Sequence, residues 1–204
     1  MLLCSCMLAT LTLCAVHAFP LVSTTQTLDT LTIKSNPPIT ITVEVGQEKQ
    51  INRIARFCVE TFYEVGLPGS LDSHEIDEIV EYERKGMVER AKSPLETLML
   101  SARSLCILGE IEGEMLGFAE TTRLNEQEAL IRNVCTSLNY RKMGIGSSLM
   151  QLCMNHAKDE WKCKKCVLNV EDENEEAILF YQRLGFRPIP GRDLFGSMDM
   201  EFEF

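Results

Sequence analysis

Positive charge is scarce in this sequence. Twenty Lys and Arg stand against 30 Asp and Glu in 204 residues, a formal net charge of −10. Nucleic-acid affinity rests on many Lys/Arg–phosphate contacts, so that class of partner is disfavoured. An acidic surface suits a cationic substrate such as an amine better. Residue sets for metal or nucleophilic chemistry are also lacking. Nine cysteines would point to disulfides in a secreted chain. However, Cys4, Cys6 and Cys14 fall in an apolar leading segment, and the other six are scattered. Most of those lie among apolar neighbours, where a reduced thiol acts as a small hydrophobe. Cys163 and Cys166 form a CxxC with no second pair and no nearby His. A zinc site needs four ligands, so no metal is expected, and the pair reads as a turn entering a buried strand. No Ser-His-Asp or Cys-His nucleophile is suggested. There are no internal repeats, and no linker is rich enough to split the domain.

The leading segment MLLCSCMLATLTLCAVHA contains no Lys or Arg and ends Val16-His17-Ala18. It reads as a signal peptide over 1–18 with a small-residue cleavage site; an uncleaved hydrophobic anchor is the alternative, since a basic n-region is missing, although the segment is short for a membrane span. No stable membrane association is expected after cleavage. FPLVSTTQTLDTLTIKSNPP follows, rich in hydroxyl residues and without strong periodicity. Residues 19–37 are therefore expected to be an unfolded extension. A signal peptide followed by Phe19, Pro20 and a Ser/Thr-rich tract resembles the two-part plastid presequence of algae with secondary plastids. That resemblance implies a plastid protein, with the secretory pathway as the alternative.

From residue 38 a globular domain runs to 204. ITITVEVG is a period-2 strand, and Ile51, Ile54, Ala55, Cys58 and Phe62 recur at helical spacing. Asp72 with Glu75 predicts a capping box for a second helix to about Lys92. SLCILGEIEGEMLGFAETTRL predicts two strands around a Glu-Gly turn. ALIRNVCTS is a further strand, followed by a helix to about Trp161 and the short buried-type strand KCVLNVE. Asn174 opens a helix that Gly185 closes. The chain ends in SMDMEFEF, with Met198, Met200, Phe202 and Phe204 on one face.

The join between strand and helix reads YRKMGIGSSLM. Glycine is a poor helix former, costing roughly 1 kcal/mol against Ala. Here Gly144 and Gly146 open a helix whose first N–H groups and dipole are unpaired and positive. Lacking Cβ, they let a bulky anion approach the backbone, and Arg141 and Lys142 add charge. These features fit a pyrophosphate cradle, though glycines also serve turns and close packing. It is not a Walker loop, for the Gly-Lys-Ser/Thr ending is absent. The Rossmann fingerprint is also incomplete, because its third glycine is missing.

NVCTSLNYRKMGIGSSLM followed by LNVEDENEEAILFYQRLGFRP resembles the GNAT superfamily of acetyl-CoA-dependent N-acetyltransferases. The central Arg/Gln-x-x-Gly-x-Gly/Ala motif is matched by Arg141, Gly144 and Gly146. The second block is matched by Asn174, Tyr181, Leu184, Gly185 and Phe186. The resemblance implies an α/β (α+β) fold with a mixed, mostly antiparallel sheet flanked by helices. Two parallel strands, 130–137 and 165–171, would splay apart to admit acetyl-CoA as co-substrate. Backbone groups of Val134, Cys135 and Thr136 would pair with the pantetheine arm, like an added strand. The N–H groups of Lys142, Met143, Gly144, Ile145, Gly146 and Ser147 would hold the pyrophosphate. Asn174 would bond the pantetheine region while also capping its helix. Tyr181 would protonate the leaving thiolate, although Ala177, Tyr181 and Leu184 also share one apolar helix face.

The general base is less defined. Relatives that acetylate protein N-termini often carry Glu where this chain has Asn169. Glu171 lies two residues on, on the same strand face, and is the candidate base. A solvated acidic loop over Glu171–Glu176 is the competing reading. The expected activity is transfer of acetyl to a primary amine (a protein N-terminus, a lysine or a small amine) without an acyl-enzyme. The expected oligomeric state is monomer or homodimer. The alternative is an acyl-CoA-sensing module without turnover, which the missing base favours.

Overall fold

The computed structural model describes residues 27–33, 39–45, 50–66, 72–92, 104–191 and 196–204. The expected signal peptide over 1–18 lies outside them. In chain order the elements are β1 (Thr27–Ile33), β2 (Ile39–Val45), α1 (Ile51–Gly66), α2 (Ser73–Lys92), β3 (Ser104–Ile111), β4 (Glu114–Arg123), β5 (Glu128–Thr136), α3 (Ile145–Asp159), β6 (Lys165–Glu171), α4 (Glu175–Arg183), β7 (Arg187–Pro188) and β8 (Ser197–Glu203). The strands form one sheet in the order β1-β2-β3-β4-β5-β6-β8-β7. Every neighbouring pair is antiparallel except β5 with β6. This is the mixed, mostly antiparallel α/β sheet that the resemblance implies.

Strand β1 corrects the expectation of an unfolded extension for residues 27–33, while 19–26 and 34–37 lie outside the described residues. Thr27–Ile33 pairs with β2 from Ile33↔Ile39 to Thr27↔Glu44. Its apolar residues do not alternate, so periodicity gives no signal. The segment is nonetheless rich in β-branched Thr and Ile, which fit a pleated surface once a partner strand is present.

Local chemistry explains most of the other elements. The capping box forms as expected. Asp72 Oδ1 accepts from the Glu75 N–H at 2.9 Å, and Glu75 Oε2 accepts from the Asp72 N–H at 2.9 Å. Glu112 and Gly113 both have positive φ, +48° and +84°, the primed turn whose twist suits a tight β3–β4 hairpin. On α1 the apolar stripe buries Ile51, Ile54, Ala55, Cys58 and Val59, whereas Phe62 is exposed.

Two apolar clusters sandwich the sheet. Helix α3 buries Ile145, Leu149, Met150 and Cys153 against Leu116, Ala119, Ile131, Leu168 and Val170 on one face. Helices α1 and α2 bury Ile54, Cys58, Val80 and Met87 against Met115, Phe118 and Cys135 on the other. Each large side chain fully buried here contributes about 1.5–3 kcal/mol of transfer free energy. Gly117 permits the α3 contact. A Cβ there would lie 2.8 Å from Leu149 Cδ1 and 2.9 Å from Ile145 Cγ2.

Parallel pairing of β5 with β6 runs only through Glu128↔Lys165, Ala129↔Cys166 and Leu130↔Val167. Past Leu130 the two strands separate. β5 stays on β4 as far as Thr136↔Gly117, and β6 stays on β8 as far as Glu171↔Ser197. The separation begins near a β-bulge. The β4–β5 register shifts between Phe118↔Cys135 and Glu120↔Arg132, and Asn133 sits there at φ +53°. Bulges bend a strand and end pairing.

Candidate active site

The mouth of the split is a turn leading into α3. After Thr136, Ser137 N–H bonds the Leu116 carbonyl at 2.9 Å, and a 3-10 turn over Leu138–Tyr140 follows. Lys142 and Gly144 then take left-handed backbone, φ +63° and +90°. Gly144 is the N-cap of α3 and offers no side-chain cap, and the first turn holds no acidic residue. The first bond back to the cap is Ser148 N–H to the Gly144 carbonyl at 3.0 Å. The N–H groups of Ile145, Gly146 and Ser147 are thus first-turn donors at the positive end of the helix dipole. Gly146 is packed on two sides of the split: a Cβ there would lie 3.3 Å from Thr136 Oγ1 and 3.5 Å from Phe180 Cζ.

Basic residues frame this turn. Arg141 Nε donates to the Thr136 carbonyl at 3.3 Å, tying the loop to the end of β5. Lys142 Nζ lies 3.9 Å from Glu176 Oε1, bridging to α4, with both side chains well exposed. In water such a pair contributes little to stability, so Lys142 remains available to an anion. At α4, Asn174 Oδ1 accepts from the Ala177 N–H at 3.1 Å. The cap reading therefore holds, and the amide's two donor hydrogens remain.

Tyr181 packs on the α3 face. Its ring stands 5.3 Å from Phe180 and 6.1 Å from Phe186 between centroids. Burial pushes its phenol up to about 12, with a smaller push from the Cys135 thiol. It is therefore neutral, and a proton donor, throughout the physiological range. The last residues of β5 and the middle of α4 meet beside Gly146, where an added Cβ would lie between Thr136 and Phe180. The Cys135 side chain itself turns to the α1 face, its Sγ 3.6 Å from Cys58 Sγ. Burial raises the Cys58 thiol well above its ordinary range and Cys166 to about 12, so these sulfurs are protonated packing groups. Cys163 and Cys166 lie at and just inside the entry to β6, both buried.

Glu171 stands apart from this group. Its side chain is exposed at the end of β6. Leu168 and Val170 belong to the α3-side core, so Asn169 and Glu171 project from the opposite face. Asn169 is held by two bonds from Nδ2, to Ser197 Oγ at 3.1 Å and to Asp199 Oδ1 at 2.9 Å. Its amide oxygen is consequently oriented away from β8. Sequence reasoning missed the polar group behind the bulge, Glu120 with Arg132 and Asn133. Its one visible signal was a lone Glu inside the otherwise apolar and Thr-rich stretch MLGFAETT.

A split parallel pair beside a glycine-capped helix is the arrangement that the two motifs implied. Residues 71–186, more than half of the chain, match the model of the Acetyltransferase (GNAT) family. The chain belongs to the GNAT family. An N-alpha-acetyltransferase of Sulfurisphaera tokodaii is 26% identical over 93 residues, 40% of this chain and 56% of that protein. A spermine/spermidine N(1)-acetyltransferase of Bacillus subtilis is 29% identical over 83 residues, 37% of this chain and 55% of that protein. The GNAT chain thus spans about half the length of the curated relatives it matches. Among solved structures, the PaiA N-acetyltransferase of Thermoplasma acidophilum, in complex with coenzyme A, superposes with a TM-score of 0.66. It is 14% identical, and the match covers 81% of this chain and 100% of that one. The GNAT domain of S. lividans PAT gives 0.58 at 14% identity, covering 86% of this chain and 97% of that one. At these identities the structures establish the fold.

Proposed function

We propose that this GNAT protein transfers acetyl from acetyl-CoA to a primary amine by direct attack. The observation that carries the proposal is the split itself. β5 and β6 part after three residue pairs, an uncapped helix N-terminus follows the end of β5, and Tyr181 of α4, beside Phe180, carries a phenol kept neutral by burial. Val134, Cys135 and Thr136 would offer backbone to the pantetheine arm. The N–H groups of residues 142–147, with Arg141 and Lys142, would hold the pyrophosphate, and Asn174 would donate from its free amide hydrogens. The amine nitrogen, deprotonated with help from Glu171 directly or through water, attacks the thioester carbonyl. The C–S bond then breaks, the thiolate takes the Tyr181 proton, and the proton shed by the attacking nitrogen leaves to solvent, from which the Tyr181 phenol is restored. The products are the acetylated amine and free CoA.

The net charge of −10 favours cationic acceptors. Relatives named for spermine and for protein N-termini give the two acceptor classes to try first. The test is CoA release with acetyl-CoA and a panel of spermidine, lysine-containing peptides and free N-terminal peptides. Release with none of them, alongside tight acetyl-CoA binding, would favour the sensing module. Residues 1–37 are proposed to direct the protein to a plastid. A fluorescent reporter carrying residues 1–40 that stayed in the secretory pathway would refute that address.

A further inference from the structure

We propose that Glu120 is a positioning residue that locks the β5 bulge and thereby aims the backbone of Val134–Thr136 into the split. The proposal rests on the acetyl-CoA reading of that split and assigns a function to a buried charge that the chemistry leaves unused. Glu120 lies mid-strand in β4 with 0% exposure. A carboxylate so placed is costly unless ionic and hydrogen-bonding partners compensate it. The partners come from consecutive residues of β5. Asn133 Nδ2 donates to Glu120 Oε2 at 3.1 Å, and Arg132 Nε lies 3.8 Å from Glu120 Oε1. Arg132 is oriented in turn by Nη2 donating to Thr122 Oγ1 at 3.1 Å.

Two neighbours in a regular strand point to opposite faces. Arg132 and Asn133 reach one carboxylate because Arg132 pairs with Glu120 while Asn133 lies in the bulge, where residues 133 and 134 together oppose Ala119. The core records the same change of phase. Ile131 belongs to the α3-side cluster, whereas Cys135, four residues on, belongs to the α1-side cluster. A regular strand would put both on one face. Glu120 thus keeps both of these β5 partners only in the bulged state. If β5 straightened, one of the two would swing to the other face and the buried carboxylate would lose that contact. The phase of residues 134–136 would flip with it, turning the edge away from the pantetheine arm. Asn133 suits the position because Asn tolerates left-handed backbone better than most residues, and its side chain supplies the anchor.

This makes a specific prediction about rescue. Glu120→Ala removes the anchor, and the strand relaxes because left-handed backbone is then unfavourable for Asn133. Glycine adopts that backbone at no steric cost, so Asn133→Gly should restore the bulge in the Glu120→Ala background. By calorimetry, E120A should weaken acetyl-CoA binding about tenfold, the equivalent of about 1.4 kcal/mol. E120A/N133G should recover most of that affinity. Glu120→Gln keeps an acceptor for Asn133 but loses the charge facing Arg132, so it should fall between, and it serves if E120A does not fold. Amide exchange supplies a second readout. It should quicken about tenfold at residues 132–136 in E120A or E120Q and slow again with glycine at 133. A rise spread evenly over all strands, or no recovery with glycine, would show that Glu120 only packs the core and overturn the proposal. A parent that binds neither CoA nor acetyl-CoA would instead sink the cofactor reading, and local exchange would still decide the clamp.

Discussion

Tyr181→Phe separates chemistry from packing at the one residue that the structure makes a candidate for both. The ring contacts with Phe180 and Phe186 survive, since only the hydroxyl is lost. A general acid contributes roughly 10²–10⁴-fold, about 3–5 kcal/mol of barrier at 1.36 kcal/mol per tenfold. The assay is single-turnover CoA release at saturating acetyl-CoA, read with a thiol-reactive dye. The variant should bind acetyl-CoA within about twofold of the parent and lose most of the chemical rate. The pH dependence of stability adds a control. Folding raises the phenol from 10.0 to about 12. A group raised on folding contributes fully below its unfolded value, so the contribution is whole up to pH 10 and is lost as pH climbs towards 12. The parent's denaturation midpoint should fall through that window more steeply than the variant's. A full single-turnover rate in the variant would refute the acid assignment, and the thiolate would then leave unaided or through water. Equal alkaline slopes would refute the burial that keeps the phenol neutral.

Gly146→Glu should abolish acetyl-CoA binding by calorimetry, because its side chain starts between Thr136 and Phe180 and brings like charge to the phosphates; unchanged affinity would reject the cradle. Gly117→Ala should destabilise the fold by about 1–3 kcal/mol in urea titration, the usual cost of overpacking, since its Cβ meets Leu149 and Ile145; a neutral result would mean that α3 can shift freely. Glu171→Gln should slow turnover, with part of the loss recovered at high pH, where free amine needs no base; a pH-independent loss in the rate profile would assign Glu171 to substrate binding.

What was legible in the sequence was whatever depends on neighbours a few residues away. The capping box at Asp72 and Glu75 is a four-residue device, the β3–β4 turn is two residues, and the glycine-opened start of α3 is one loop. Each carries its geometry in its own residue types. Phe62 fits the stripe of α1 by spacing, yet spacing does not say where the covering surface ends. Strand β1 and the bulge were not legible, because both are set by pairing with another strand and not by the pattern of their own residues. Thr27–Ile33 becomes a strand by pairing with β2. Asn133 turns left-handed in company with Glu120, 13 residues away across the ladder. The acid role proposed for Tyr181 rests on the family motif alone. Its own helix face gives an equally good account of it as packing.

The site also lies where the sheet gives up pairing. Backbone N–H and C=O groups in a folded chain almost always find partners, and most strands here find them in the ladder. β6 is paired with β8 along its full length, from Lys165↔Glu203 to Glu171↔Ser197. On its other edge the parallel bonds to β5 end at Leu130↔Val167. The remaining edges, 131–136 and 168–171, face one another across a gap that strand pairing does not close. An extended arm with its own amides fits such an edge as an added strand fits a sheet. Backbone recognition of this kind depends on the phase of the edge more than on its side chains. Val134, Cys135 and Thr136 share no chemistry, and the alignment of their peptide groups is what matters. On the proposed reading, control of the bulge is control of the binding edge, and a mutation behind the sheet at Glu120 would act on a co-substrate it never touches.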